Sequence, residues 1–384
     1  IVYFPQDPEL SDIVVIDPQW LSDLFTTLVT TKSNYASSAN GVVSTRNLLH
    51  LWRPPKFPQE MHRKLLTLLE RFEIVFNISL RRSADLHTDP IDLLVPSVLP
   101  SQEPTAEIAA NWPALRIRGP VRQMARVISF GQVIPPGFFL RLLVRVLKAM
   151  QTVPTLIWLH GLVLKTRPRS AATAGQTGTD GEGVCDTVLY VRERDSGGVI
   201  DIMVRGSEAA LADVCAFART AFDAATSFFS DEIKEKVAVY VPCVHCALTK
   251  AQTPKMFVIN DVERAVIRGD KVLNCGSGTV VPLDLLVPEL DLSALAVPKA
   301  DMSEIELESV LGQGATAVVH KGYYKDLEVA VKKLRLDGED RNNRCGSQAF
   351  TEFRREAHVM SLCKHPCIVG LIAVCLRPLC LLTE

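Results

Sequence analysis

The sequence predicts an α+β chain in three successive parts, on three observations. Apolar residues recur at helical spacing through 1–110. Alternating runs joined by tight turns fill much of 111–297. A strand, strand, strand, helix, strand, strand order closes the chain over 298–384, giving a five-stranded sheet with one helix. A length of 384 residues leaves room for two or three domains, each with its own core. Hydrophobic side chains make up 47% of the sequence, which excludes a disordered chain. No apolar run approaches the roughly 20 residues that cross a bilayer, so no transmembrane segment is expected. Lys and Arg number 42 against 43 Asp and Glu, which argues against a dedicated nucleic-acid binder. The 10 cysteines lack a short framework spacing and read as reduced thiols. A cytoplasmic location is expected, with peripheral contact to membranes left open.

In the first part, the apolar run 13–16 precedes Asp17-Pro18, a helix start. The Asp carboxylate can cap free N–H groups, and proline at the first helical position gives up no needed bond. Trp20, Leu21, Leu24, Phe25 and Leu28 then share one face. Asn40-Gly41 marks a turn, Ser44 or Thr45 caps a short helix carrying Leu48, Leu49 and Trp52, and Pro54-Pro55 stops it. A longer helix is expected over 58–71 and a strand over 73–80. Short helices followed by a strand pair suggest a winged-helix-like unit. DNA reading would need basic and amide side chains on the free face of the 58–71 helix. That face carries a few charges of mixed sign, so a packing module is the better reading and no nucleic-acid partner is expected.

In the middle part, Asn111-Trp112-Pro113 is followed by Arg116, Arg118, Arg122 and Arg126. Pro135-Pro136-Gly137 opens a helix whose Phe138, Leu142, Val146 and Met150, flanked by Phe139 and Leu143, make a wide stripe for packing on a sheet. Arg141, Arg145 and Lys148 occupy its other face. From Ile108 to Thr179 there are ten basic residues and no acidic one. The stretch is either a positive face for an acidic partner, a phosphate or a membrane, or a solvated face whose counter-charges lie elsewhere in sequence. The second is favoured. Strands are expected over 156–164, 188–192, 199–204 and 237–241, with a polar loop over 165–183 and a helix over 207–228. The amphipathic, proline-punctuated stretch 282–298 reads as a linker that docks onto a neighbour.

Cys243-Val244-His245-Cys246 is a C-x-x-C pair, and Cys275 follows 29 residues after Cys246. Structural zinc takes four S or N ligands, commonly in two such pairs. No fourth ligand stands at short spacing beside Cys275, and His245 inside the pair would strain the knuckle. A degenerate remnant is therefore favoured over an intact zinc site, and zinc is not expected.

The last part carries the clearest chemistry. A strand over 305–311 runs into Gly312-Gln313-Gly314-Ala315-Thr316-Ala317-Val318-Val319, a G-x-G-x-x-A-x-V turn between two strands. Glycines there let backbone N–H groups turn over phosphates. Ala317 replaces a third glycine, at little cost if its φ stays negative. Val329-Ala330-Val331-Lys332 lies in a strand over 327–334, with Ala330 and Lys332 on one face and Val329 and Val331 on the other. A helix over 349–362 offers Glu356, or Glu352 one turn earlier, as the carboxylate partner of Lys332. Strands over 372–376 and 379–383 follow.

This stretch resembles the N-terminal lobe of a eukaryotic protein kinase. The resemblance implies ATP with Mg²⁺: Gly312, Gln313, Gly314, Ala315, Thr316 and Ala317 over the phosphates, and Val319 and Ala330 against the adenine. Lys332 would reach the α- and β-phosphates and Glu356 would hold it. Thr383 would be the gatekeeper behind the adenine, and Glu384 the first hinge residue. No H-R-D-x-x-x-x-N and no D-F-G occurs in these 384 residues, so the general base and metal-binding groups are missing and the chain alone is expected to be inactive. It starts at Ile1 and stops at Glu384 on an apolar run, as a piece cut at both ends would.

Upstream, IVVIDPQWLSDLFTTLVT, NGVVSTRNLLHLW, FPQEMHRKLLTLLERFEIVFNI, LLVPSVLP and VIPPGFFLRLLVRVL resemble successive blocks of the COR domain of Roco proteins. That resemblance implies a winged-helix-like N-terminal COR part over 1–110, an antiparallel-sheet C-terminal COR part with linker over 111–297, and a truncated kinase N-lobe with its αC helix over 298–384. It also implies a leucine-rich-repeat-kinase-like serine/threonine kinase of the tyrosine-kinase-like group. A Ras-like GTPase domain, with GTP, would precede COR and is absent from these residues. COR would support a homodimer, and proteins would be the substrates. The alternative is a non-catalytic COR dimerisation scaffold with a kinase-like remnant, in which Leu379, Leu381 and Leu382 would lack cover.

Overall fold

The computed structural model describes residues 2–29, 41–79, 86, 88–116, 120–131, 134, 136–166, 186–194, 198–227, 237–249, 251–276, 278–290, 297–314, 317–335, 344–363 and 365–384. Helix and sheet are mixed along the chain, which forms two units, Ile1–Tyr240 and Val241–Glu384.

In the first unit, β1 (Val2–Tyr3) pairs with β2 (Val14–Val15) ahead of α1 (Pro18–Val29). The Asp17 carboxylate accepts from the Gln19 N–H at 2.9 Å, so the helix start is capped as its sequence suggests. Next come β3 (Val42–Ser44), α2 (Thr45–Leu51), α3 (His62–Arg71), β4 (Phe76–Asn77) and β5 (Asp92–Leu94). The strands form a small antiparallel sheet in the order β3-β5-β4. The helix expected from 58 starts as a single 3-10 turn at Gln59–Met61, because Pro58 is extended and only caps it. The strand expected over 73–80 shrinks to two residues: Glu73 takes φ 59°, which breaks an extended run. Leu24, Leu28, Leu48, Trp52, Leu65, Leu69 and Leu93 form one core beneath these elements. Asn40 and Leu80 lie outside the described residues.

The sheet beside it is larger. After α4 (Thr105–Asn111), β6 (Val121–Ser129), α5 (Phe138–Met150), β7 (Leu156–Trp158), β8 (Gly161–Thr166), β9 (Thr187–Glu193), β10 (Val199–Ser207), α6 (Leu211–Thr226) and β11 (Ala238–Pro242) follow. The strand order is β11-β6-β10-β9-β8-β7, antiparallel throughout. α5 and α6 bury Phe139, Leu142, Leu143, Val146, Val214 and Ala218 in a core with Met124, Ile128, Leu164 and Val191. The single strand expected over 156–164 is a hairpin. Gly161 closes it against Trp158, where a Cβ would lie 2.0 Å from the indole.

Counter-charges for Arg122, Arg141, Arg145 and Lys165 come from elsewhere in sequence. Arg141 and Arg145 both reach Glu73, at 2.9 and 2.7 Å, Arg122 pairs with Glu208, and Lys165 pairs with Asp186 at 3.1 Å. Burial alone would raise the Glu73 carboxyl, but hydrogen bonds and charge from Arg141 and Arg145 outweigh it and hold the group below its usual 4.5. Arg118, Pro135, Phe228 and residues 167–183 of the expected loop lie outside the described residues.

The second unit begins with α7 (Val244–Leu248), β12 (Met256–Val258), α8 (Ile259–Arg268), β13 (Val272–Asn274), β14 (Val280–Pro282) and α9 (Leu283–Leu286). Leu283, Leu286, Val287 and Leu290 are buried with Val262 and Ala265, so the described part of the expected linker is docked. Then follow β15 (Lys299–Ala300), β16 (Ile305–Gln313), β17 (Ala317–Tyr324), β18 (Leu327–Leu334), α10 (Arg344–Leu362), β19 (Leu371–Leu376) and β20 (Leu379–Thr383). Their sheet runs β15-β19-β20-β18-β17-β16. It has six strands where five were expected, because β15 adds two residues parallel to β19.

Candidate functional site

The site is built from strand register. Val319 of β17 pairs with Lys332 of β18, and Ala330 of β18 pairs with Thr383 of β20. Directly opposed residues share a face, so Val319, Ala330, Lys332 and Thr383 line one side of the sheet. Leu334 and Leu381 continue that side under α10, packed on Phe350, Phe353 and Ala357. Val329, Val331, Cys380 and Leu382 pack on the other side with Ile305 and Tyr324. The alternation expected for Val329-Ala330-Val331-Lys332 therefore sorts the strand into a core face and a site face.

Packing of Phe353 and Ala357 sets α10 at the height where Glu356 meets the lysine. Lys332 Nζ donates to Glu356 Oε1 at 2.8 Å and Oε2 at 2.6 Å. Both side chains are a little over one-third exposed, so the pair sits at the rim of the core. Glu352, the competing carboxylate, is exposed one turn earlier. Phe350 is the residue that sequence reasoning passed over; its spacing to Phe353 and Ala357 on one helical face was the available signal.

The glycine turn is partly described. Gly312 pairs with Val319, and Gln313 ends the β16 ladder opposite Val318. The Gly314 N–H donates to the Ala317 carbonyl at 2.8 Å, closing the turn. Neither glycine has positive φ. What Gly312 supplies is open space, since a Cβ there would meet nothing within 4 Å, and at Gly314 only the Ala317 oxygen at 3.7 Å. Ala317 is buried in β17 without positive φ, so the missing third glycine costs no backbone strain. Ala315 and Thr316 lie outside the described residues. Thr383 ends β20, and the Glu384 N–H donates to the Gly370 carbonyl at 3.2 Å. An open glycine turn beside a lysine fixed by a carboxylate fits a nucleotide triphosphate. Residues that would hold Mg²⁺ are not in this sequence.

Leu379, Leu381 and Leu382, expected to lack cover in the scaffold alternative, are at most 5% exposed. Leu379 and Leu381 are covered by α10, and Leu382 by the opposite cluster.

Away from this face, the structure brings Cys243, Cys246 and Cys275 together. The Cys275 sulfur lies 3.6 Å from that of Cys243 and 3.3 Å from that of Cys246. All three are buried. Burial, with the neighbouring sulfurs, pushes the Cys243 thiol up to about 12.

A six-stranded sheet with one helix, a glycine turn and a Lys–Glu pair defines the class of the second unit's C-terminal part: the N-terminal region of a protein-kinase domain. Residues 305–384 match the family of protein tyrosine and serine/threonine kinases. Residues 1–99 match the COR-A domain, C-terminal of Roc, and 121–289 the COR-B domain. The chain belongs to the Roco family. Over its whole length it is 32% identical to "Probable serine/threonine-protein kinase pats1" of Dictyostelium discoideum, of which it covers 11%. It is 25% identical to "Probable serine/threonine-protein kinase roco7" of the same organism, covering 14%. Against "Leucine-rich repeat serine/threonine-protein kinase 1" of Mus musculus the identity is 23%, covering 21%. The chain thus spans about a tenth to a fifth of the length of these relatives. No helix among the described residues is long and apolar enough to cross a membrane.

Proposed function

We propose that these residues belong to a serine/threonine protein kinase that transfers the ATP γ-phosphoryl group to protein substrates under control of a GTPase–COR module. The observation that carries this is the Lys332–Glu356 pair beside the open Gly312–Gly314 turn. In this reading α10 is the αC helix, residues 1–110 form the winged-helix-like COR part, 111–297 the second COR part, and 298–384 the N-lobe.

Bound ATP, with its Mg²⁺, supplies the transferable phosphoryl group. The glycine turn would cover its phosphates, and the absence of a Cβ at Gly312 and Gly314 leaves them room. Lys332 offers its charge to the α- and β-phosphates, and Glu356 keeps the ammonium from swinging away. Val319 and Ala330, on one face of the sheet, would lie against the adenine, Thr383 would limit the depth behind it, and the Glu384 carbonyl would accept its amino hydrogen. The COR parts supply a homodimer contact and face a Ras-like GTPase domain. These 384 residues contain no catalytic-loop aspartate or D-F-G, so they do not transfer phosphoryl groups by themselves.

The test is transfer from γ-labelled ATP to a generic protein substrate, comparing this chain with the longest product of its gene. Transfer by the longer product alone is expected. Turnover by the pure 384-residue chain would sink the assignment of the missing groups. No transfer by an intact longer product, with its nucleotide bound, would sink the kinase reading.

A further inference from the structure

The three-thiol cluster lies outside everything the kinase reading uses. Cys243 caps α7, Cys246 lies within that helix, and Cys275 opens the turn between β13 and β14, 29 residues further along. The Cys275 N–H closes this turn on the Thr279 carbonyl at 2.9 Å. Two separate pieces of backbone thus aim sulfurs at one point, with all three ligand atoms within 4.8 Å of one another.

Geometry separates two explanations. A disulfide uses two sulfurs and leaves the third without a reason to be there. A tetrahedral zinc ion with Zn–S bonds of about 2.3 Å needs its sulfurs roughly 3.8 Å apart. The observed 3.6 and 3.3 Å lie within a few tenths of an ångström of that edge. Among the described residues, no cysteine supplies the fourth corner. That corner faces a cleft of about 460 Å³ lined by His245, Thr249, Thr253, Lys255 and Gly276. Within it, the His245 Nδ1 is buried without a hydrogen-bond partner.

We propose that Cys243, Cys246 and Cys275 form a three-thiolate zinc site whose fourth position opens to this cleft. Binding displaces three thiol protons to solvent and forms three Zn–S bonds, with water in the fourth position and no electron transfer. The ion ties the β13–β14 turn to the start of α7. Cys275 reaches the Cys243–Cys246 pair singly, from a turn, and water takes the position for which the sequence offers no fourth ligand beside Cys275.

The test uses the full 384-residue chain, purified reduced, with Zn²⁺ and Co²⁺ as probes. One metal per chain is expected, and Co²⁺ should give thiolate charge-transfer absorption with tetrahedral visible bands. Cys275→Ser should weaken zinc binding by more than ~100-fold, since changes to groups behind the ligands already cost 10–100-fold. The exposed Cys367→Ser should leave binding unchanged. In case the Cys275 variant fails to fold, alkylation of the unaltered chain decides. Cys243, Cys246 and Cys275 should be blocked with zinc and labelled after chelation, with Cys367 labelled in both. No metal uptake by reduced protein, uptake unaffected by Cys275→Ser, or labelling indifferent to chelator each overturns the proposal.

Discussion

Replacing Glu356 with Gln separates a positioning contact from a structural one. Lys332 Nζ sits 2.8 and 2.6 Å from the two carboxylate oxygens, and the side chains are 36% and 37% exposed. A pair this wet contributes about 1 kcal/mol or less to folding, because water screens it and two long side chains lose freedom. Phe350, Phe353 and Ala357 seat the helix whichever residue stands at 356. Gln keeps the size and one acceptor, so urea unfolding of the 384-residue chain should shift by no more than ~1 kcal/mol. Activity should respond differently. A lysine held by one neutral acceptor can drift by about 1 Å, and such a displacement costs on the order of 10²-fold in rate. That is about 2.7 kcal/mol at the transition state, well above the folding effect. The assay pairs the urea curve with ATP-dependent transfer by the longer gene product. Activity within twofold of the unaltered protein would refute the positioning argument. So would a stability loss of several kcal/mol, large enough to explain the rate by itself.

Three further outcomes follow from the first unit. Because Glu73 is held below its usual 4.5, it contributes stability that is present above that value and is lost as pH falls through its lower native pKa. Glu73→Gln should flatten this acid limb in thermal melts, and an unchanged slope would contradict the Arg141–Glu73–Arg145 arrangement. Gly161→Ala places a methyl 2.0 Å from the Trp158 ring and should cost about 1–3 kcal/mol by urea unfolding. Arg205 donates to the Pro113 carbonyl and to Gln123 Oε1, both at 2.7 Å, with its guanidinium 4.5 Å from the Trp112 ring centre. Arg205→Ala should lower stability by about 2–3 kcal/mol, read the same way.

Local signals were legible wherever one chain segment decides the outcome. The Asp17-Pro18 start, β18 at Leu327–Leu334 and β20 at Leu379–Thr383 stand where periodicity and capping put them. The Lys332–Glu356 contact was readable because strand alternation and helical spacing each allowed few choices. What was not legible depended on long-range contacts. β6 carries two arginines, yet it lies inside its sheet: Arg126 lies on the core face between Met124 and Ile128, stacked 4.6 Å over Phe222. An arginine buried by cation–π contact breaks the apolar pattern that marks a strand. β15 pairs through two residues and has no pattern to read. The convergence of Cys275 on Cys243 and Cys246 depends on a turn whose placement only the folded chain fixes.

Lys332 is proposed to serve a bound nucleotide in a protein kinase. The most direct test is Lys332→Met in the longest product of the gene, with phosphoryl transfer from γ-labelled ATP as the readout and unfolding curves as the control. Loss of transfer by about 10²-fold or more, with the unfolding midpoint nearly unchanged, is the expected result. Transfer at the unaltered rate in the Met variant would contradict it.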